Sequence, residues 1–282
     1  MLRSGLLFLS ILLFVFVPLD PLSASESLID ENDVQDEQES LPPFGMKRFG
    51  YDICYLLQAP ARFEKKDWGK TLLIVGAVST LYMAREDIRE IALRNRTDAR
   101  MRFFEDVRVT ARGAFVPSLA LLFLSSGKMR GNDYDIETAQ ILMESFAMSA
   151  LATGVGSFLI AAERPEDGDD VKFFQTGGHG VSLDVALSSS FIFPLVDRYL
   201  RAKGNDSTGK KIGKHAGKIF LFSIPAFVSL QRMSADKHWA PDVFLGAFSG
   251  LAIGKILSNA HMRTVSSRLD ISVSGGMLKL VF

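Results

Sequence analysis

The chain has 282 residues, 48% of them hydrophobic, and its 32 basic residues balance its 32 acidic residues to a formal net charge of +0. A chain of this length can bury a sizeable core in one large domain or two modest ones. The balanced charge argues against a nucleic-acid partner, since the aromatic residues lie in apolar runs rather than among basic residues. A single cysteine, Cys54, excludes an internal disulfide and a cysteine zinc cluster.

The N-terminal region has two parts. Arg3 precedes an apolar run at 6–18, and Ala24 closes a short stretch of small residues, so residues 1–24 are predicted to be a secretory signal peptide or, alternatively, an uncleaved anchor. Residues 25–43 carry seven acidic residues and almost no apolar content, which predicts a disordered acidic linker. The predicted folded domain is therefore 44–262.

Within this domain, a short amphipathic stretch at 51–58 precedes six apolar segments, each predicted to be a helix. The segments are 71–84, 113–126, 145–162, 185–196, 219–230 and 243–254. Small residues such as Gly246 and Gly250 would let these helices approach closely. After them, residues 263–282 alternate apolar and polar positions around Gly275-Gly276, which predicts a short C-terminal β-hairpin.

The lengths of the segments bear on membrane insertion. Most uncharged runs are about 12 to 15 residues, below the roughly 20 that cross a bilayer, and only 145–162 approaches that length. Six spans after a cleaved signal would also place the basic stretch 198–218 outside, against the positive-inside rule. We therefore expect a periplasmic or envelope-facing, membrane-associated domain, with an integral membrane protein as the alternative.

Three residues near the C-terminus have a spacing that suits phosphate chemistry: Arg232, five residues, His238, three residues, Asp242. Pro241 fits a first helical turn, so His238 lies just ahead of a helix and Asp242 inside it. A carboxylate so placed can accept the Nδ1–H of the histidine and leave Nε2 free to attack phosphorus. Arg232 would supply a fork of donors to phosphoryl oxygens.

Two further elements could bind an anion. Gly178-His179 is predicted to lie at the N-terminus of the apolar helix that follows, where unpaired amides favour a negative ligand. Arg164-Pro165 is predicted to end the helix at 145–162, with the guanidinium at its mouth. The remaining two histidines, His215 and His261, receive no role from the sequence.

These three motifs, in this order, resemble the type 2 phosphatidic acid phosphatase (PAP2) and vanadium haloperoxidase superfamily. The resemblance covers about residues 139 to 258. The family has a lysine where this chain has Ser157, a proline and a serine where it has Thr176 and Gly177, and a serine where it has Gln231. The resemblance implies an all-α fold, with about six core helices around one site.

The resemblance also implies roles. His238 would attack phosphorus and Asp242 would orient it, while His179 would protonate the leaving oxygen and then activate water. Arg164, Arg232 and the amide of Gly178 would bind the non-bridging oxygens. No metal or cofactor is implied. The expected function is hydrolysis of a phosphorylated lipid or, alternatively, a small phosphoester. The same motifs also allow a vanadium-dependent haloperoxidase, or a catalytically weak envelope protein that binds phosphate or lipid.

Overall fold

The computed structural model describes residues 45–262, together with the backbone of 271–274 and 277–280. The predicted signal peptide and acidic linker lie outside the described residues. The helices are α1 (Met46–Leu57), α2 (Lys65–Met83), α3 (Arg85–Arg94), α4 (Asp98–Arg108), α5 (Phe115–Arg130), α6 (Asp133–Leu159), α7 (Leu183–Ser190), α8 (Ile192–Tyr199), α9 (Thr208–Ser234) and α10 (Ala240–Met262). Short 3₁₀ turns occupy Ala59–Arg62 and Val109–Ala111.

Two small antiparallel sheets accompany the helices. Strand β1 (Ile160–Ala162) follows α6 directly and pairs with β2 (Val171–Phe173), with Ala161 opposite Lys172. Strands β3 (Ile271–Ser274) and β4 (Met277–Leu280) pair with Ser274 opposite Met277. The predicted helical bundle and the C-terminal hairpin are therefore both present.

The predicted segments were right in type and wrong in several bounds. Each of the six apolar segments contributes to a helix, but 185–196 is divided between α7 and α8 at Phe191. Pro194 explains the break, because it has no N–H to donate to the carbonyl of Ser190 and so cannot continue α7. The prediction that a helix runs to Ala162 is also wrong: α6 ends at Leu159, and the chain enters β1 instead. The charged helices α3 and α4 were not predicted.

The core lies where α5, α6, α8 and α10 meet, around buried Val116, Leu142, Phe191 and Ile192. Helix α10 also packs closely on α7. A Cβ on Gly250 would lie 2.2 Å from the carbonyl oxygen of Ala186, so only glycine fits this contact. The predicted close approach at Gly246 and Gly250 is therefore confirmed, and it places the start of α10 beside the loop that precedes α7.

The outer surface of the bundle is unusually apolar. Leu72 and Leu73 on α2, Leu121 and Leu122 on α5, and Phe220 on α9 are each more than 60% exposed. By length and composition, α6 and the part of α10 at Ala240–His261 could each cross a membrane, and α4 with α5 would form a third, bent span. The sequence indicated only one segment, 145–162, that approaches the length of a membrane span. The structure gives more candidates, because α6 and α10 extend beyond the uncharged runs.

Candidate functional site

The hairpin β1–β2 and the loop before α7 form one wall of the candidate site. The amide of His179 donates to the carbonyl of Ala162 at 2.9 Å, which fixes the loop against β1. Arg164 and Pro165 lie in the turn that follows β1, not at the end of a helix as predicted. The predicted helix start after His179 also needs correction, because α7 begins only at Leu183 and Ser182 occupies its N-cap position.

Gly178 is fixed in this wall by packing. A Cβ on Gly178 would lie 2.3 Å from Cα of Ala161 and 2.6 Å from the carbonyl oxygen of Ser157. Both neighbours are backbone atoms and cannot turn aside as a side chain can. Ser157, at the position of the family lysine, binds the backbone of Val181 through its hydroxyl, with its Oγ 3.2 Å from the carbonyl oxygen. It therefore anchors the loop rather than supplying a charge.

The opposite wall is the start of α10. His238 precedes the helix and Asp242 lies in its first turn, as predicted. Nδ1 of His238 is 3.6 Å from Oδ2 of Asp242, and both side chains are buried. This distance is too long for a hydrogen bond, and Nδ1 of His238 is buried without a hydrogen-bond partner. The carbonyl of Asp242 accepts from the amide of Ser182 at 3.0 Å, so α10 is bonded to the loop that carries His179.

The two walls bring His179 and His238 together. Their ring centroids are 6.3 Å apart and the rings are nearly perpendicular. Partial burial, and after it the charges of Arg164 and His238, lower the pKa of His179 from its ordinary value. The charged imidazolium of His179 is therefore disfavoured both by desolvation and by its cationic neighbour.

The predicted arginines lie at the same site, and each has an unused donor. The Nε atoms of Arg164 and Arg232 are buried without a hydrogen-bond partner. Burial, and after it the nearby charges of Arg108 and Arg164, lower the pKa of Arg232, while Asp184 opposes this effect. Buried donors without partners are rare in folded proteins. Guanidiniums crowded in this way form a site that an oxyanion would complete.

Arg108 and Asp184 are members of this site that the sequence did not reveal. Asp184 Oδ2 is 2.8 Å from Nε of Arg108 and 3.4 Å from Nη1 of Arg232, so one carboxylate holds both guanidiniums. Glu105, on α4 with Arg108, accepts from Nε2 of Gln231 at 2.9 Å. Gln231, at the position of the family serine, therefore helps to fix α4 against α9.

A brace holds the loop that carries His238. Arg89 binds Asp236 through two hydrogen bonds of 2.7 Å, from Nε and from Nη2. The indole N–H of Trp239 donates to the carbonyl of Glu163 at 3.1 Å, which connects this loop to the turn after β1. The loop that carries His238 and the turn that carries Arg164 are thus bonded to each other.

The structure therefore brings the residues of all three motifs together at one end of the bundle. Comparisons with known proteins give two structural likenesses. The crystal structure of LpxE from Aquifex aeolicus is 18% identical, covers 61% of this chain and 93% of its own, and has a TM-score of 0.45. The first transmembrane PAP2-type phosphatidylglycerolphosphate phosphatase from Bacillus subtilis is 15% identical, covers 77% and 96%, and has a TM-score of 0.42.

No family model and no curated protein matches the sequence. The resemblance to PAP2-type proteins therefore rests on three ordered motifs, whose residues meet in a helical fold.

Proposed function

We propose that this protein is a metal-independent phosphatase that hydrolyses a lipid phosphate or pyrophosphate through a phosphohistidine intermediate. The observation that supports it most is the pair His179 and His238 beside two guanidiniums, those of Arg164 and Arg232, whose buried Nε donors lack partners. Phosphoryl transfer depends on positioning and on stabilising charge at the non-bridging oxygens, and these groups supply both.

The first step is attack by Nε2 of His238 on phosphorus. The P–N bond forms as the bond to the leaving oxygen breaks, and Asp242 stabilises the proton on Nδ1. His179 donates its proton to the leaving oxygen, and the neutral ring then takes a proton from water. The resulting hydroxide attacks phosphorus, the P–N bond breaks, and phosphate leaves with His238 restored. Arg164 and Arg232 bind the equatorial oxygens in both steps.

Arg108 takes the place of the lysine that the family motif would supply from the position of Ser157. Its guanidinium shares Asp184 with Arg232, and its charge acts on Arg232. A phosphate bound by Arg232 would therefore lie near a further guanidinium from α4, which is itself paired with Asp184 and Glu105. The chain retains a three-arginine phosphate site although its first motif has no lysine.

A lipid substrate is supported by an apolar ledge, Phe173 and Phe174, at the end of β2 that pairs with Ile160. The two side chains are 63% and 68% exposed. Phe174 has a φ of 57°, a conformation that is costly for a bulky residue, and its ring contacts that of Phe158 with centroids 6.3 Å apart. Local strain of this kind is concentrated at functional sites. The ledge and the apolar faces of α2 and α5 suit an acyl or prenyl chain that enters from a membrane.

The purified protein should release phosphate from lipid phosphates with EDTA present, and His238→Ala should abolish that release. His215→Ala is the matched control, since His215 is exposed on α9 and should keep full activity. Acid quenching during turnover should trap a phosphoamide on the wild type and none on His238→Ala. Wild-type turnover no faster than that of His238→Ala across a panel of lipid phosphates would refute the enzyme and leave a phosphate- or lipid-binding protein.

The lipid preference has a separate test. Phe174→Asn removes the aromatic ring and introduces a residue that tolerates positive φ. This variant should lower kcat/KM for a lipid phosphate in mixed micelles and leave kcat/KM for p-nitrophenyl phosphate unchanged. Phe220→Asn removes an exposed phenylalanine from α9 and serves as the control. Equal loss on both substrates would contradict the proposed ledge without touching the phosphatase chemistry.

A further inference from the structure

A second cluster of ionisable residues lies at the other end of α10 from His238. His261 is in the last turn of this helix, and a rise of 1.5 Å per residue from Ala240 places it about 30 Å away along the axis. Its neighbours are Asp52 on α1 and Glu144 on α6, and all three side chains are buried. The proposed phosphatase mechanism uses none of them.

The three residues converge on one ring nitrogen. Nε2 of His261 is 2.7 Å from Oδ2 of Asp52 and 3.3 Å from Oε2 of Glu144. One candidate ligand atom from each residue lies within 4.8 Å of the others, the arrangement expected around a single ion, and no other such group occurs among residues 45–262. A histidine nitrogen with two carboxylate oxygens is a common ligand set for zinc and related transition metals.

The surrounding residues orient these ligands. Nδ1 of His261 is 2.9 Å from Oε1 of Glu137, so Nδ1–H donates to this carboxylate and Nε2 faces Asp52 and Glu144. Carboxylate–histidine–metal arrangements of this kind are general in metal sites. Nε of Arg48 donates to Asp52 at 3.1 Å, and Nε2 of Gln140 donates to Glu144 at 2.6 Å. Arg48 therefore holds the oxygen of Asp52 that also contacts His261, and Gln140 holds the oxygen of Glu144 that does not.

The cluster also holds an oxygen that no protein group satisfies. Apart from His261, three carboxylates, Asp52, Glu137 and Glu144, face two guanidiniums, because Arg198 also binds Glu137 at 2.9 Å. This excess of buried carboxylates attracts a cation. Oδ1 of Asp52 is buried without a hydrogen-bond partner, and a metal ion bound by both oxygens of Asp52 would satisfy it.

We propose that Asp52, Glu144 and His261 bind one divalent transition-metal ion, of which zinc fits best, as a structural site that fastens α1 to the far end of the bundle. Asp52 supplies both of its oxygens, so that the three residues fill four positions around the ion. Because the ligands come from α1, α6 and α10, the ion enters as these helices assemble and is then enclosed. This site takes no part in phosphoryl transfer and does not depend on the proposed function.

The test is metal content. The full chain is purified, stripped with EDTA in mild denaturant, refolded, and dialysed against Zn²⁺, Mn²⁺ or Mg²⁺ before elemental analysis and thermal melting. We expect one zinc per chain and a higher melting temperature with Zn²⁺, and neither with Mg²⁺, which prefers all-oxygen octahedral sites. A wild-type chain that retains no zinc and melts unchanged overturns the proposal, and leaves His261 as an imidazolium within an ion network.

Variants separate this site from the catalytic histidines. Asp52→Asn and Glu144→Gln should each lose the zinc, and Glu137→Gln should keep it with roughly 10- to 100-fold weaker affinity. His238→Ala should bind zinc like the wild type, as should Glu90→Gln, a control that removes an exposed carboxylate on α3. Zinc that is lost in His238→Ala and retained in Glu144→Gln overturns the assignment and locates the ion at the phosphatase site. If a ligand variant fails to fold, the zinc content of the wild type still decides.

Discussion

Replacement of Gly178 by alanine tests whether the wall that carries His179 is positioned as the structure describes. The added Cβ would lie 2.3 Å from Cα of Ala161, whereas carbon atoms pack favourably at about 3.5 Å or more. The loop must therefore move by about 1 Å. His179 is the next residue, and its amide is bonded to Ala162 at 2.9 Å, so the displacement reaches directly the ring that is proposed to act as the acid.

A misplacement of about 1 Å lowers turnover by roughly 100-fold, which corresponds to about 2.7 kcal/mol of activation free energy. Forcing a methyl group into a packed contact also destabilises the fold by about 1 to 3 kcal/mol. We therefore expect Gly178→Ala to remain folded, to melt a few degrees lower, and to lose most of its kcat while its KM changes little. Steady-state kinetics and calorimetry measure these quantities on the same preparation.

Gly154→Ala is the matched control, because Gly154 lies on α6 with no atom within 4 Å of the added Cβ. Alanine is the better helix former there by about 1 kcal/mol, so this variant should keep its kcat and melt slightly higher. A Gly178→Ala protein with wild-type kcat and melting temperature would refute the reasoning, since the contact with Ala161 would then not restrain the loop.

The remaining predictions concern charge at the site. Arg108→Ala should lower kcat/KM by roughly 10- to 100-fold and weaken inhibition by vanadate, as expected for the loss of a charged hydrogen bond. Arg112→Ala removes an exposed guanidinium and should have neither effect. Equal effects of the two variants would contradict the role of Arg108. Because the pKa of His179 is lowered from its ordinary value in the fold, its protonated form is lost at a lower pH than that of a free histidine, so kcat/KM should fall as pH rises through the acidic range; a plateau extending to pH 8 would exclude His179 as the acid. The same lowering means that the unfolded chain binds this proton more tightly, so His179 should reduce stability as pH falls below about 6.5, and His179→Gln should remove that part of the dependence in acid melting curves.

The sequence correctly predicted the start of a helix where a nearby residue such as proline marks it. Pro241 placed the first turn of α10 correctly, and with it the spacing of His238 and Asp242. The break at Phe191 had a signal in Pro194 that the uninterrupted apolar run concealed. Helix α4 also had one, because Thr97 accepts from the amide of Arg100 as an N-cap, but its many charged residues gave no apolar run to mark it.

The contacts that complete the site could not be predicted in this way, because they join distant parts of the chain. Arg108 meets Asp184 at a separation of 76 positions, and Gln231 meets Glu105 at a separation of 126. No periodic pattern connects an arginine on a charged helix with a motif more than a hundred residues later. The buried cluster around His261 is of the same kind, because it joins side chains of α1 and α10.

The departures from the family motifs therefore have different consequences. Ser157 replaces a charge with a loop anchor, and Arg108 supplies a charge from another helix. Gln231 exchanges a short hydroxyl for an amide that reaches Glu105, on the same helix as Arg108, and so helps to hold that arginine near Arg232. The proposed phosphate site accounts for Asp184 between two guanidiniums and for the unpaired buried Nε donors of Arg164 and Arg232. Under the proposed function the substitutions rebuild the site rather than abolish it, because Arg108 and the residues that position it occur together.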